Sequence, residues 1–257
     1  MKKEVVFSEH FLELKKRLFF LVVFFTSSTC LGYVYSTDIY NFLLAPLESY
    51  FAQNNLKREI IYTGLSEAFF THIKLAFYFG LFLTIPVFVW QIYAFISPGL
   101  KIEEKKFILP VFIIAPFLFC MGAFLVYYFI LPEVFHFFLS FEQTQPDKIT
   151  PIVLEARVSE YFSLCLSIMV AFGIAFELPI FLVVLAKLKL ISYRTLIKFR
   201  RFAIVIIFIL AAILTPPDVL SQISLAVIMI ILYELSVFVC KYIEKKNVRH
   251  KMDQRKS

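Results

Sequence analysis

Between Phe107 and Leu131 the chain runs for 25 residues without one charged side chain, and this restricts the fold more than any motif does. As a helix the stretch extends about 37 Å, enough to cross a hydrocarbon core of ~30 Å. Lipid offers backbone N–H and C=O groups no partner, so such a run must satisfy them internally, as a transmembrane helix does. Five further apolar runs accompany it. Leu18–Tyr35 is uncharged, Ala68–Ile96 holds His72 and Lys74 near its start, and Tyr161–Ala186 holds Glu177. Phe202–Leu214 and Val219–Cys240 are separated only by Thr215-Pro216-Pro217-Asp218. With 60% hydrophobic residues, 33 Phe and only 6 Gly, the chain is built for lipid. Its 257 residues allow one membrane bundle and no soluble catalytic domain.

The basic residues set the orientation. Residues 1–17, 97–106, 187–201 and 241–257 carry five, three, six and seven Lys plus Arg, whereas 36–67, 132–160 and 215–218 carry two, two and none. A split of 21 to 4 places both termini and the two even loops in the cytoplasm. The net charge of +7 therefore reports topology, and no nucleic-acid partner is expected. The predicted organisation is a cytoplasmic amphipathic segment 1–17, a six-helix membrane bundle 18–240 and a basic tail 241–257. No small-residue cleavage motif follows the first apolar run, so no cleavable signal is expected. Cys30, Cys120, Cys165 and Cys240 fall in apolar runs without a C-x-x-C pair and read as small hydrophobes.

The fifth run, with 13 apolar residues, reaches only about 20 Å as a helix. Either the bilayer thins around it, or runs five and six form a re-entrant hairpin; two short spanning helices are expected, with Pro216-Pro217 fixing the outer turn. Ile39, Phe42 and Leu43 suit a short interfacial helix ending before Pro46. In the second external segment, Val134–Leu139 is apolar. Both segments read as caps on the bundle. Phe7, Phe11, Leu14 and Leu18 share one helical face, so the N-terminal segment can lie on the membrane surface with Ser8 as its N-cap.

Three acidic positions carry the functional expectations. Glu177 sits ten residues before Lys187, about 15 Å deep, where holding an acid costs at least ~2.5 kcal/mol. Its alternatives are a protonated, hydrogen-bonded carboxyl inside the bundle or a functional polar site. Glu13 can simply pair with Arg17 one turn on. Glu103 and Glu104 lie in the polar turn Ser97–Lys106, where the alternative is a solvated charged loop. Together, Glu13 and one of Glu103 or Glu104 would form a two-carboxylate receptor for a cationic peptide, best suited to arginine because its planar fork bonds a carboxylate bidentately. There is no phosphate-binding G-x-x-x-x-G-K-[ST], no H-E-x-x-H and no G-x-S-x-G. No enzymatic activity, cofactor or metal is expected.

In order along the chain come His10–Leu18, Ala45-Pro46-Leu47, Pro86-Val87 with Gln91–Leu100 and Glu104, Ala171–Pro179, and Leu214–Val219. With these, the sequence resembles the TatC family, the polytopic receptor subunit of the twin-arginine protein translocase. The resemblance implies an all-α integral membrane protein, with six transmembrane helices in a cup-shaped bundle, short fifth and sixth helices and both termini cytoplasmic. It implies a protein of the cytoplasmic (inner) membrane that binds twin-arginine signal peptides of folded precursors and drives export by the protonmotive force. The implied partners are small single-span subunits of the TatA/TatB type, the lipid bilayer and further copies of itself. The implied signal-peptide site is Glu13, Arg17, Phe95, Glu103 and Glu104. Glu177 is the implied intramembrane polar residue, and Pro46, Asp218 and Gln222 belong to the external side. The family pattern usually has Arg where this chain has Lys15, which keeps the charge but not the fork. The competing class is a proton-coupled small-molecule transporter with Glu177 as carrier and Lys74 or Glu234 as helpers. A third is a structural membrane scaffold.

Overall fold

The computed structural model describes residues 2–53, 60–99, 101–141, 155 and 157–253, and the side chains of 2–10, 103, 104, 107 and 246–253 lie outside the described set. The stretches 54–59 and 142–154, expected from the sequence to be external, and the last four residues of the basic tail also lie outside it. Ten α-helices follow in order: α1 Lys2–Val34, α2 Ser36–Gln53, α3 Glu67–Ile96, α4 Ile102–Leu125, α5 Leu131–Leu139, α6 Val158–Phe176, α7 Leu178–Lys187, α8 Tyr193–Lys198, α9 Arg200–Leu214 and α10 Val219–Asp253. A 3₁₀ turn, Ser97–Gly99, follows α3, and a π-helical turn, Val126–Ile130, joins α4 to α5. Among the described residues, five stretches are long and apolar enough to cross a membrane: Phe11–Val34, Glu67–Gly99, Ile108–Leu139, Val158–Lys187 and Val219–Lys245. The fifth apolar run of the sequence is α9, whose 15 residues reach about 22 Å and fall short of the core thickness.

Several expectations are corrected. The sixth helix is not short: α10 has 35 residues, because the tail from Lys241 to Asp253 contains neither Gly nor Pro and simply continues the helical ladder. Ser8 is not an N-cap, since α1 begins at Lys2 and runs without a break through the expected boundary at residue 17. Pro46 does not end its helix; α2 passes through it, and the Ser49 hydroxyl bonds the Pro46 carbonyl at 2.8 Å. The polar turn 97–106 is largely helical, with Glu103 and Glu104 in the first turn of α4, where the helix dipole favours acidic residues. The run Tyr161–Ala186 is not one helix. It breaks at Glu177, because Pro179 brings no N–H to the carbonyl of Ala175. The π-helical turn has a similar origin: Pro132 cannot donate, and the Leu131 N–H reaches back to the Val126 carbonyl.

The chain divides into two compact units, Met1–Lys101 with Phe135–Leu166, and Ile102–Val134 with Ser167–Ser257. In the first, α1 and α3 pack at backbone distance. A Cβ on Gly32 would lie 2.9 Å from the Ala76 carbonyl oxygen, and one on Gly80 would lie 2.9 Å from the Thr29 nitrogen and clash with its hydroxyl. Such contact requires hydrogen at both positions. Leu75, Ala76 and Phe162 are fully buried in this unit. In the second, a Cβ on Gly122 would meet the Phe172 carbonyl oxygen at 2.6 Å, and one on Gly173 would meet the Phe119 ring at 2.5 Å. The second half of α6 therefore lies directly on α4. Ile168, Phe172, Leu225 and Ala226 form the buried centre.

Replacing Gly80 by Val should destabilise the α1–α3 pair by about 1–3 kcal/mol, the usual cost of overpacking. Thermal unfolding in detergent would show it as a lowered midpoint. Gly99→Ala, where a Cβ meets nothing within 4 Å, should leave the midpoint unchanged.

Candidate functional site

Of the first group of expected site residues, Glu13 and Arg17 lie where α1 enters its apolar stretch, and Phe95 lies at the end of α3. Glu13 and Arg17 are one helical turn apart on α1. The Arg17 guanidinium donates to Glu13 Oε1 from both Nη2 at 2.6 Å and Nε at 3.1 Å. Its Nη1 donates to Gln91 Oε1 on α3 at 2.8 Å. The pair is partly shielded, with Arg17 24% and Glu13 37% exposed. The simple i,i+4 pair expected from the sequence is therefore present, and it is extended by Gln91. That amide was not singled out, although it falls one turn before Phe95 on α3 and so shares its face. Phe95 is half-buried. Glu103 and Glu104 stand in the first turn of α4, and their side chains lie outside the described residues.

Glu177 occupies the break between α6 and α7. Its N–H bonds the Ile174 carbonyl at 3.1 Å, a tightened turn, and its own carbonyl accepts from Phe181 at 3.0 Å. The residue is half-buried, yet Oε1 is fully buried and has no hydrogen-bond partner. An orphaned carboxyl oxygen is costly, so this atom departs from the hydrogen-bonded alternative expected for a purely structural acid. The ten residues of α7 set Glu177 about 15 Å from Lys187, the depth inferred from the sequence.

At the turn between α9 and α10, Asp218 is the N-cap of α10. Its Oδ2 accepts the Ser221 N–H at 2.7 Å, and its carbonyl accepts the Gln222 N–H at 3.2 Å. The Thr215 hydroxyl closes the end of α9 on the Ala211 carbonyl at 2.8 Å. Asp218 Oδ1 and the Ser221 hydroxyl are both buried without partners, and Gln222 is half-buried beside them. The polar turn thus combines a cap with two unsatisfied groups.

A third cluster, at the start of α3, escaped the sequence. Glu67 accepts from the Thr63 N–H at 2.8 Å and the Gly64 N–H at 3.3 Å with Oε2, and from the Ser159 N–H of α6 at 3.0 Å with Oε1. The Tyr161 hydroxyl donates to the Leu43 carbonyl of α2 at 2.6 Å, and Leu43 and Leu47 are buried on either side of Pro46. His72 meets the Ser36 hydroxyl at 3.0 Å and stacks on Tyr40. Only the pattern S-x-x-E at 64–67 is close to a capping signal, and it is absent here, because Gly64 stands at the first place.

A polytopic helical protein whose polar residues gather at a helix entry, a helix break within an apolar stretch and a capped interhelical turn belongs to the class of membrane transport proteins. The family described as "Sec-independent protein translocase protein (TatC)" matches residues 9–227, and the chain belongs to this family. It is 47% identical over 250 residues to the TatC protein of Rickettsia prowazekii (strain Madrid E), covering 96% of this chain and 98% of that one. It is 33% identical over 234 residues to TatC of Escherichia coli (strain K12), covering 91% and 87%. A crystal structure described as the twin arginine translocase receptor TatC matches with a TM-score of 0.76 at 33% identity, over 91% of this chain and 98% of that chain.

Asp218→Ala should cost about 0.5–2 kcal/mol through loss of the α10 cap, whereas Asp218→Asn should cost less. Hydrogen exchange of the Ser221 amide provides the local readout, and should accelerate in the Ala variant.

Proposed function

We propose that this chain is the signal-peptide receptor and core subunit of a twin-arginine translocase, exporting folded proteins across the cytoplasmic membrane at the expense of the protonmotive force. The carrying observation is the end-to-end match to a twin arginine translocase receptor, with a TM-score of 0.76. Both termini face the cytoplasm, in keeping with the 21-to-4 basic asymmetry. The short α9 then serves as a sixth crossing, paired with α10 by the Arg200–Glu234 bridge at 2.7 Å. No catalytic chemistry is involved.

Signal recognition falls to Glu13 with Glu103 or Glu104, aided by Phe95. Support comes from Arg17: a guanidinium already fits Glu13, at 2.6 Å and through two nitrogens. An incoming arginine meets the same carboxylate, with Gln91 retaining Arg17 as the bonds are shared or exchanged. Glu177 offers its orphaned oxygen to a polar side chain from a small single-span TatA/TatB-type subunit or from the inserted signal. Pro46, Asp218 and Gln222 shape the external side through the turn and cap geometry described above. The transporter alternative needs Lys74 or Glu234 as proton-relay partners. Lys74 instead bonds the Ser163 hydroxyl and Glu234 pairs with Arg200, which leaves that alternative without support.

The double variant Glu13→Gln/Glu104→Gln should weaken photocrosslinking of a twin-arginine signal peptide by about tenfold or more, since charge-assisted bonds contribute ~1.5–3 kcal/mol each before solvent screening. Undiminished crosslinking would sink the clamp. For Glu177, Gln should preserve co-purification of single-span partners. Ala should reduce it by a few-fold, in line with the ~0.6–2 kcal/mol of intramembrane hydrogen bonds. Equal recovery in wild type and Ala would remove its role.

A further inference from the structure

Three arginines are paired with carboxylates among the described residues. Arg17 pairs with Glu13, Arg200 with Glu234 and Arg157 with Glu160. Lys74, on α3, is different. Its ammonium donates to the Ser163 hydroxyl of α6 at 2.6 Å, and among the described residues no carboxylate lies within salt-bridge distance of it. That hydroxyl gives its own proton to the Ser159 carbonyl, so the serine acts on Lys74 only as a neutral acceptor. Lys74 is exposed, and so are Phe70 one turn before it, at 62%, and Phe77 one turn after it, at 45%. The ammonium thus sits in an aromatic stripe facing lipid. Leaving a cation there without a counter-charge is expensive.

The depth of the group identifies what neutralises it. The Glu67 carboxylate bonds the Ser159 N–H, which levels the starts of α3 and α6. Lys74 lies seven residues beyond Glu67, about 10 Å along α3, whereas Ser163 lies four residues beyond Ser159, about 6 Å along α6. To reach Ser163 the lysine stem therefore climbs about 4 Å back toward the membrane surface, as a snorkelling side chain does. The 30 residues of α3 span about 45 Å against a core of ~30 Å, which places Lys74 just inside the hydrocarbon boundary. At that level the abundant anion is the phosphate of a phospholipid.

We propose that Lys74, anchored on Ser163 and flanked by Phe70 and Phe77, binds the phosphate of a phospholipid in the leaflet at the α2–α3 end of the bundle. On the orientation proposed above this is the outer leaflet. The ammonium supplies the charge, Ser163 fixes its position, and the two phenyl rings pack against the first part of the acyl chains.

The chain has a single tryptophan, Trp90, so the reporter pair Trp90→Phe and Phe70→Trp moves the sole indole to one turn from Lys74. The full-length protein is reconstituted in vesicles of phosphatidylglycerol and phosphate-free diglucosyl diacylglycerol, with one or the other brominated in its acyl chains. Quenching of the indole at position 70 then reads which lipid occupies the site. The phospholipid should be preferred about fivefold, the selectivity expected of one lysine at an anionic lipid surface. Lys74→Gln should abolish the preference and Lys74→Arg should keep it. Ser163→Ala, which retains the charge, should reduce it, while circular dichroism confirms that each variant is folded. A preference unchanged by Lys74→Gln overturns the proposal. So does no preference in the reporter itself, the outcome expected if Lys74 instead awaits a carboxylate on a partner's transmembrane helix. Neither result bears on signal-peptide crosslinking at Glu13, so the receptor function stands or falls separately.

Discussion

Everything in this structure answers to the absence of a hydrogen-bonding solvent around the helices. A backbone group that loses its ladder partner inside lipid must find another or remain orphaned at a cost of kilocalories. The chain nonetheless places prolines along several of its helices, and three local departures from regular helix coincide with them. Pro132 accompanies the π-helical turn Val126–Ile130, and Pro179 separates α6 from α7. At the turn between α9 and α10, Pro216 and Pro217 stop α9, and Asp218 begins α10 by capping it. Two acidic residues, Glu177 and Asp218, sit at these irregular points.

The side chains obey the same constraint. Close helix contact at Gly32, Gly80, Gly122 and Gly173 replaces the hydrophobic drive that lipid cannot supply between helices. Three charges near the spans are held by something neutral or opposite: Glu13 with Gln91 for Arg17, Glu234 for Arg200, Ser163 for Lys74. Elsewhere an oxygen stays unsatisfied, as at Glu177 and Asp218.

Much of this was legible beforehand, because hydropathy and charge act residue by residue. Five of the apolar runs correspond to the five described stretches long enough to cross a membrane. The Glu13–Arg17 pair came from one turn of spacing. What failed were judgements about helix ends. Pro46 does not stop α2, Ser8 does not start α1, and α10 runs far beyond its apolar part. In each case the propensity signal was real but weak, and neighbouring turns of helix outweighed it. Gln91, Glu67 and Ser163 could not have been found at all, since their partners lie 74, 92 and 89 residues away.

By itself the sequence determined the solvent of this protein and its family, since both depend on the order of residue types along the chain. Only the tertiary structure decided which polar groups meet: that a guanidinium already rests on Glu13 and a glutamine, that Glu67 levels two distant helix starts, and that Lys74 climbs to a serine with its charge unanswered. Hydrogen bonds are short and directional, so they are fixed by the packing of helices remote in sequence and leave no periodic trace in the chain.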